Sequence, residues 1–377
     1  MLPRGSTPTL CCTLALIAIV GGWGAPRPVR AQQSAPPPGR SAADDAGGAW
    51  ELPPEAKRAI DESVEWLAAQ QFERSGRWAA KPPQFQMSVT ALAGLALLAH
   101  GVTPDSGPHA ETLRRCLLWV LDAQKTDEPF AGLLCDSKEP MAESERPMHG
   151  HGFALLLLGQ AYGTSRDPVL RERIHRAIAL GVRLTERTIS PAGGWFYWPS
   201  HVRGNARDEG SVTITQIQAL RSARNAGVAV SASVVERAVS YIKRSQNPDG
   251  GVRYMLRPSS SPASAALTSA GIVVLQDAGE YHGDAIERAY GYLRTNLRTD
   301  LPEEQKWFFY THLYASQAMF QRGGASWKAY FPKIRNQLLE MRQGAHWESR
   351  DVGPAYATAM ALLILQLPNR FLPIHQR

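Results

Sequence analysis

Cysteine is scarce in this 377-residue chain: there are four, and two of them, Cys11 and Cys12, lie in an apolar N-terminal stretch. Only Cys116 and Cys135 remain for the body of the protein, so a disulfide-dense scaffold is excluded. No basic run and no nucleic-acid motif occurs, and charged residues make up only 20% of the chain. The formal net charge of +7 falls to +4 (38 basic against 34 acidic) once residues 1–31 are set aside. That mild excess is spread along the chain, and nucleic acid is not an expected partner. After residue 31 no stretch reaches membrane-spanning length without polar interruption, so no stable transmembrane segment is expected.

The N-terminus has the pattern of an export signal. Arg4 is followed by the apolar run Leu10 to Val20, and Val29-Arg30-Ala31 offers a small-residue cleavage site before Gln32. A retained anchor is the rival reading. Residues 1–31 are therefore expected to be a signal peptide and the protein periplasmic or secreted. Residues 32–51, rich in Pro, Ala, Ser and Gly, read as a flexible tether. Residues 52–377 form the folded body.

That body repeats. Amphipathic segments begin near Pro54, Glu111, Val169, Val234, Ala285 and Trp327. Each is followed by an almost wholly apolar one, near Ser88–His100, Gly152–Tyr162, Val212–Asn225, Ala265–Ala278, Trp307–Phe320 and Ala355–Leu367. A helix with no polar face must be buried on all sides, whereas an amphipathic one has one side in water. Six such hairpins, about 50 residues each, predict an all-α (α/α)6 toroid with an inner apolar barrel and an outer amphipathic ring. The long connections all run from the first helix of a hairpin to its second and share one end of the ring. Function is expected there.

The string Trp66-Leu67-Ala68-Ala69-Gln70 followed by Gly76-Arg77-Trp78 resembles the QW-type repeat of squalene cyclases and protein prenyltransferase β-subunits. Weaker copies are Val120–Gln124 with Gly132, Gly193-Gly194-Trp195, Ile242–Gln246 with Asp249-Gly250-Gly251, and Gly344–Trp347. More narrowly, His151-Gly152-Phe153-Ala154, Ser211-Val212-Thr213, Gln246-Asn247-Pro248-Asp249-Gly250-Gly251 and Phe308-Phe309-Tyr310 resemble exported bacterial "prenyltransferase and squalene oxidase repeat" proteins. The resemblance implies an α/α-toroid of terpenoid cyclase type and brings no established reaction. The Asp-x-Asp-Asp acid of the cyclases is absent, and no inner helix carries the Asp, Cys and His zinc set of the prenyltransferases. The thioester Gly-Cys-Gly-Glu-Gln of complement-type toroids is absent too.

What chemistry remains lies in the long loops. Cys135, Asp136, His149 and His151 are zinc-type ligands without a recognised spacing. The competing reading pairs Cys116 with Cys135 in a disulfide worth about 3 kcal/mol and leaves His151 to line the barrel mouth; a third leaves one thiol buried and one free. No cofactor is expected on this reading. Trp195, Tyr197, Trp198, Arg203 and Arg207 put aromatics beside cations, a mixture suited to an isoprenoid diphosphate, a sugar or a peptide; for Trp195 packing, as for Trp78, is the favoured reading and ligand contact the alternative. Asp208 or Glu209 is placed to cap the third inner helix. Phe308, Tyr310 and His312 open the fifth inner helix, and Trp347 belongs to the sixth loop. His151, Glu209 and Asp351 are the candidate catalytic groups, with Glu209 and Glu348 or Asp351 as a carboxylate pair in the manner of glycoside hydrolases. The favoured reading is a toroid binding a hydrophobic small molecule or a protein partner. The runner-up is a divergent isoprenoid-handling enzyme, followed by a carbohydrate-active one.

Overall fold

The computed structural model describes residues 52–203, 207–300 and 307–376. The expected signal peptide and tether lie outside the described residues. Twelve long helices form six antiparallel hairpins: α1 (Pro54–Ala69) with α2 (Gln86–Ala99), α3 (Ala110–Asp122) with α4 (Pro147–Tyr162), and α5 (Pro168–Arg187) with α7 (Gly210–Asn225). Then come α8 (Ala232–Ser245) with α9 (Ala265–Asp277), α10 (Asp284–Asn296) with α11 (Phe308–Arg322), and α12 (Gly324–Met341) with α13 (Pro354–Leu365). The short α6 (Ser200–Arg203) interrupts the third loop. No β-strand occurs among the described residues, only isolated bridges that pinch the loops shut, such as Trp195 with Glu209.

The second helices close a ring: α2 packs on α4, α4 on α7, α7 on α9, α9 on α11, α11 on α13, and α13 back on α2. Their composition explains the placement. All fourteen residues of α2 are buried, as a helix without a polar face requires. The first helices form the outer layer, and α1 buries only Ala56, Ala59, Ile60, Ser63, Val64 and Leu67, one stripe at helical spacing. The expected (α/α)6 toroid is the observed fold. Among the described residues no helix is long and apolar enough to cross a membrane.

The repeat motif is a staple between neighbouring hairpins. Gln71, not the exposed Gln70, carries it: its amide donates to Gly76 O at 2.9 Å and to Thr112 O, on the next outer helix, at 2.8 Å. Gln124 does the same to Gly132 O and Ala177 O, and Gln246 to Gly250 O and Ala285 O. The aromatic therefore stands five residues ahead of the working glutamine (Trp66, Trp119, Tyr241), one more than the sequence motif supposes. Gly76 has φ +78°, and a Cβ there would lie 2.4 Å from Arg115 O, so only glycine lets the loop lean on α3.

The loop tryptophans hold each hairpin to itself. Trp78, Trp195 and Trp347 are fully buried. Their indole N–H groups donate to Leu67 O, Thr185 O and Leu338 O at 2.6, 2.8 and 2.7 Å. Their backbone N–H groups donate to Thr90, Thr213 and Thr358 Oγ1 on the inner helix. Val252 repeats this with Thr268, and Leu134 with His151 Nδ1.

The ring end opposite the loops is covered by the C-terminal segment. Gln160 accepts from Ile374 N at 2.9 Å, Gln321 donates to His375 O at 3.1 Å, and Arg221 donates to Gln376 O at 3.0 Å. Higher in the ring, Gln218 on α7 donates to Gln317 on α11 at 2.7 Å, bridging helices that are not neighbours.

Candidate functional site

The threonine-or-histidine positions 90, 151, 213, 268 and 358 put five hairpins in register. Four residues ahead of each stand Gln86, Pro147, Glu209, Ser264 and Pro354, and two residues ahead stand Ser88, His149, Ser211, Ala266 and Tyr356. Most of these are small, neutral or structural. Hairpins two and three differ, and because α4 and α7 are ring neighbours their groups meet.

Glu209 is fully buried as the N-cap of α7. Its carboxylate accepts from Ser211 N at 2.9 Å, from Val212 N, and from Ser211 Oγ at 2.7 and 2.9 Å. The Tyr254 hydroxyl also donates to it. Serine or aspartate is the usual cap, because a short side chain reaches N2 and N3 without folding back. The longer Glu209 side chain reaches the same two amides and also meets the Tyr254 hydroxyl. Burial outweighs these hydrogen bonds and the helix N-terminus, and the carboxyl is pushed up to about 7.

His149 Nε2 lies 2.9 Å from Ser211 Oγ and 3.7 Å from Glu209 Oε1. Burial, and then the Arg146 guanidinium, push the imidazole down to about 4, so it is neutral above pH 5. The ring stacks on Tyr197 at 5.9 Å, and the Tyr197 hydroxyl is hydrogen-bonded to that of Tyr254. Beside this network stands an aromatic wall, Phe196-Tyr197-Trp198, with ring centroids 4.7 to 6.0 Å apart. Arg146 stacks over Tyr197 and Trp198 at 4.6 and 5.0 Å, and Arg207 over Phe196 at 4.9 Å. Tyr310 adds a second aromatic group: its ring meets Tyr314 at 4.8 Å, and burial raises its hydroxyl well above the ordinary range.

Of the residues expected from sequence, Glu209, His149, Tyr197, Trp198 and Arg207 are brought together here. The side chain of Arg203 lies outside the described residues. Trp195 and Trp347 are staples rather than ligand contacts, because both ends of their polar groups are consumed in the fold. His151 is corrected likewise. Its Nδ1 accepts from Leu134 N and its Nε2 meets Thr185 Oγ1 at 3.0 Å, which makes it the second hairpin's substitute for the threonine. His312 is bound on both nitrogens, to Tyr330 Oη at 2.8 Å and Arg298 O at 3.0 Å, and Phe308 packs on its ring. Asp351 is exposed beside Tyr356, and Glu348 pairs with His346 at 3.0 Å. Neither is a partner of Glu209, so the expected carboxylate pair does not form.

The cysteines are both buried and free, which corrects the expected disulfide. Cys116 Sγ faces α2 and donates to Thr90 O at 3.5 Å. Cys135 stays in its loop with Ser137, and burial pushes its thiol up to about 12. The zinc-type set does not converge either. Among the described residues no three His, Cys, Asp or Glu side chains gather in a metal-binding group, since His151 turns to Thr185 and His149 to Ser211. Arg146 and Tyr254 were not legible, because each comes from a different loop and no periodicity relates them. Ser211 is visible only as part of a motif.

No protein-family model matches the chain, and no curated protein matches it in sequence. Similarity appears in the fold. The type II terpene cyclase MstE from Scytonema shares 16% identity over 84% of this chain and 99% of its own, with a TM-score of 0.55. An α-1,6-mannanase of Salegentibacter sp. HEL1_6 shares 8% over 82% and 98%, with a TM-score of 0.58. An unsaturated glucuronyl hydrolase specific for heparin shares 12% over 85% and 96%, at 0.56. These are α/α-toroid enzymes of unlike chemistries, and at such identities they show the fold alone.

Proposed function

We propose that this chain is an exported ligand-binding α/α-toroid that takes a hydrophobic molecule at the loop end of its third hairpin. The observation that carries this is the Phe196-Tyr197-Trp198 wall with the guanidiniums of Arg146 and Arg207 on its ring faces. Contiguous aromatic faces supply apolar area at little conformational entropy, and the two cations suit a polar or anionic head on the same ligand. The signal-like N-terminus supports export. The structural neighbour MstE was solved with geranylgeranyl dihydroxybenzoate, so a prenyl chain is the first ligand to try. In a titration of the full chain with a geranylgeranyl diphosphate analogue, tryptophan fluorescence is expected to change saturably. Arg146→Ala and Tyr197→Ala should weaken the binding by roughly 10-fold each, the loss of one cation–π or stacking contact. A linear, unsaturable response, or one that both variants leave unchanged, contradicts the proposal.

The buried Glu209 carboxyl favours a second reading, a divergent isoprenoid-handling enzyme. A buried carboxyl raised to about 7 beside the Tyr254 hydroxyl is a proton donor in working range. Incubation with a prenyl substrate and mass analysis of the products decides it: recovery of unchanged substrate removes this reading and leaves the binding one intact.

A further inference from the structure

The inner helices share a position that opens onto the ring axis. The fifth hairpin falls into register at His312: Gln366 donates to Ala96 O, six residues beyond Thr90, and Gln276 to Ala318 O, six beyond His312. Two residues ahead of the register positions then stand Ser88, His149, Ser211, Ala266, Tyr310 and Tyr356. In α4, α7, α9 and α11 this is the one partly open position in the first half of an otherwise buried helix. Seven residues beyond Ser211 and Tyr310, two turns along the same face, lie Gln218 and Gln317, which meet across the ring. That face therefore looks at the axis, and the opening is a depression there with the glutamine bridge beneath it.

Two hydroxyls on this face are unused. Tyr314, one turn beyond Tyr310 on α11, is fully buried, and the two rings meet at 4.8 Å. Neither hydroxyl oxygen is open to solvent or has a hydrogen-bond partner among the described residues. Lent to each other they would still leave one proton spare, because one of the pair can only accept. By contrast Tyr290 spends its hydroxyl on Ala318 O, and Tyr330 shares a hydrogen bond with His312. A buried donor without an acceptor costs free energy, and such groups are rare. Burial also keeps both hydroxyls protonated, well above the ordinary range, so both stay donors.

We infer that Tyr310 and Tyr314 form an axial subsite that donates hydrogen bonds to an uncharged carbonyl oxygen of a hydrophobic ligand. A carbonyl oxygen has two lone pairs and so can take both donors at once. None of the six residues around the opening is Asp, Glu, Lys or Arg, so a charged group there would lose its water without gaining a counter-charge. His149, in the same layer, stacks on Tyr197. The opening is thereby continuous with the aromatic wall, along which the rest of the ligand runs. The inference rests on the loop-end binding proposed above for the apolar part of the ligand, and adds what its inner end carries.

The test titrates the full chain with farnesylacetone, a prenyl-chain ketone, and with the hydrocarbon that has a methylene in place of its carbonyl, reading tryptophan fluorescence. The ketone is expected to bind roughly 10-fold more tightly than the hydrocarbon. Combining Tyr310→Phe with Tyr314→Phe keeps the rings, and should abolish that preference while hydrocarbon binding holds. The infrared carbonyl stretch of the bound ketone should lie below its position in alkane and move back up in the double variant, which a purely structural role for the tyrosines would not produce. Equal affinities for the two probes in the wild type, the mark of hydroxyls served by water alone, overturn the inference, as does a preference that survives in the double variant. An unshifted stretch in the wild type does so without any variant. If neither probe binds while the geranylgeranyl diphosphate analogue does, the axial subsite falls and the loop-end reading stands; if none of the three binds, both fall.

Discussion

Hairpins one and three are built on one plan and use it differently. Both carry a buried loop tryptophan whose indole and backbone N–H groups tie the outer helix to a threonine of the inner one. In hairpin one the position four residues ahead of that threonine is Gln86, and its amide donates to the Thr90 hydroxyl and to Trp78 O, inside the staple. In hairpin three the same position is Glu209, which turns away from the staple toward Ser211, His149 and Tyr254. Glu209 still serves the fold as the cap of α7, but a buried carboxyl does there what a serine does at the start of α9. An ionisable group in a place that a neutral cap can fill is where a site is sought.

Breaking the staple should give the largest effects. Trp78→Ala and Trp195→Ala each remove a fully buried indole and its hydrogen bond, and each should cost about 3–5 kcal/mol in denaturant unfolding. Equal losses in hairpins one and three are the expected outcome; a much smaller loss at Trp195 would mean that hairpin three is not held like hairpin one.

Glu209→Gln should separate the two hairpins through pH. The carboxyl is raised from its ordinary 4.5 to about 7. The folded chain therefore keeps a proton that the unfolded chain releases between those values. Stability from this group is complete below pH 4.5 and is lost as pH rises through 7. The glutamine variant lacks that loss, so its stability relative to wild type should climb between pH 4.5 and 8, by on the order of 3 kcal/mol. Gln86→Glu is the reciprocal experiment. It should lose stability with rising pH, because it puts a carboxylate into the staple. A pH-independent difference in the first case would mean that Glu209 is ionised and well solvated in the folded chain.

Gln71→Ala should destabilise by about 1–3 kcal/mol, because it leaves the buried Gly76 carbonyl without its side-chain donor and takes away the acceptor of Arg115. The exposed neighbour Gln70→Ala should stay within about 0.5 kcal/mol. Equal effects at the two positions would return the motif to the register read from sequence. Smallest of all should be the thiols. In the native protein Cys116 and Cys135 should resist a thiol reagent and react on unfolding, each as a free thiol.

Helical periodicity made the six hairpins legible, and the outer helices begin within about three residues of where amphipathicity places them. The second inner helix was read as starting at Gly152 but begins at Pro147. Its glycines look like loop residues, yet they are there because α2 and α7 leave no room for a Cβ: at Gly150 it would lie 2.8 Å from Met87, at Gly152 2.5 Å from Thr215. Glu209 was legible as a cap and as a candidate acid. Packing was the favoured reading for Trp195 and a structural place at the barrel mouth for His151, but their contacts were not legible, because a staple is recognised only when five hairpins are set in register and its hydrogen bonds link residues that no single motif contains. Arg146 and Tyr254 reach the site from separate loops, a relation that exists only once the ring has closed.

Hydrogen exchange of the full chain with and without the prenyl analogue tests the central claim most directly. New protection is predicted at residues 146–151 and 195–203, while the matching loops of hairpins one and six, around Trp78 and Trp347, exchange as before. Equal protection in all three loops, or none at hairpin three, would contradict the assignment of the site.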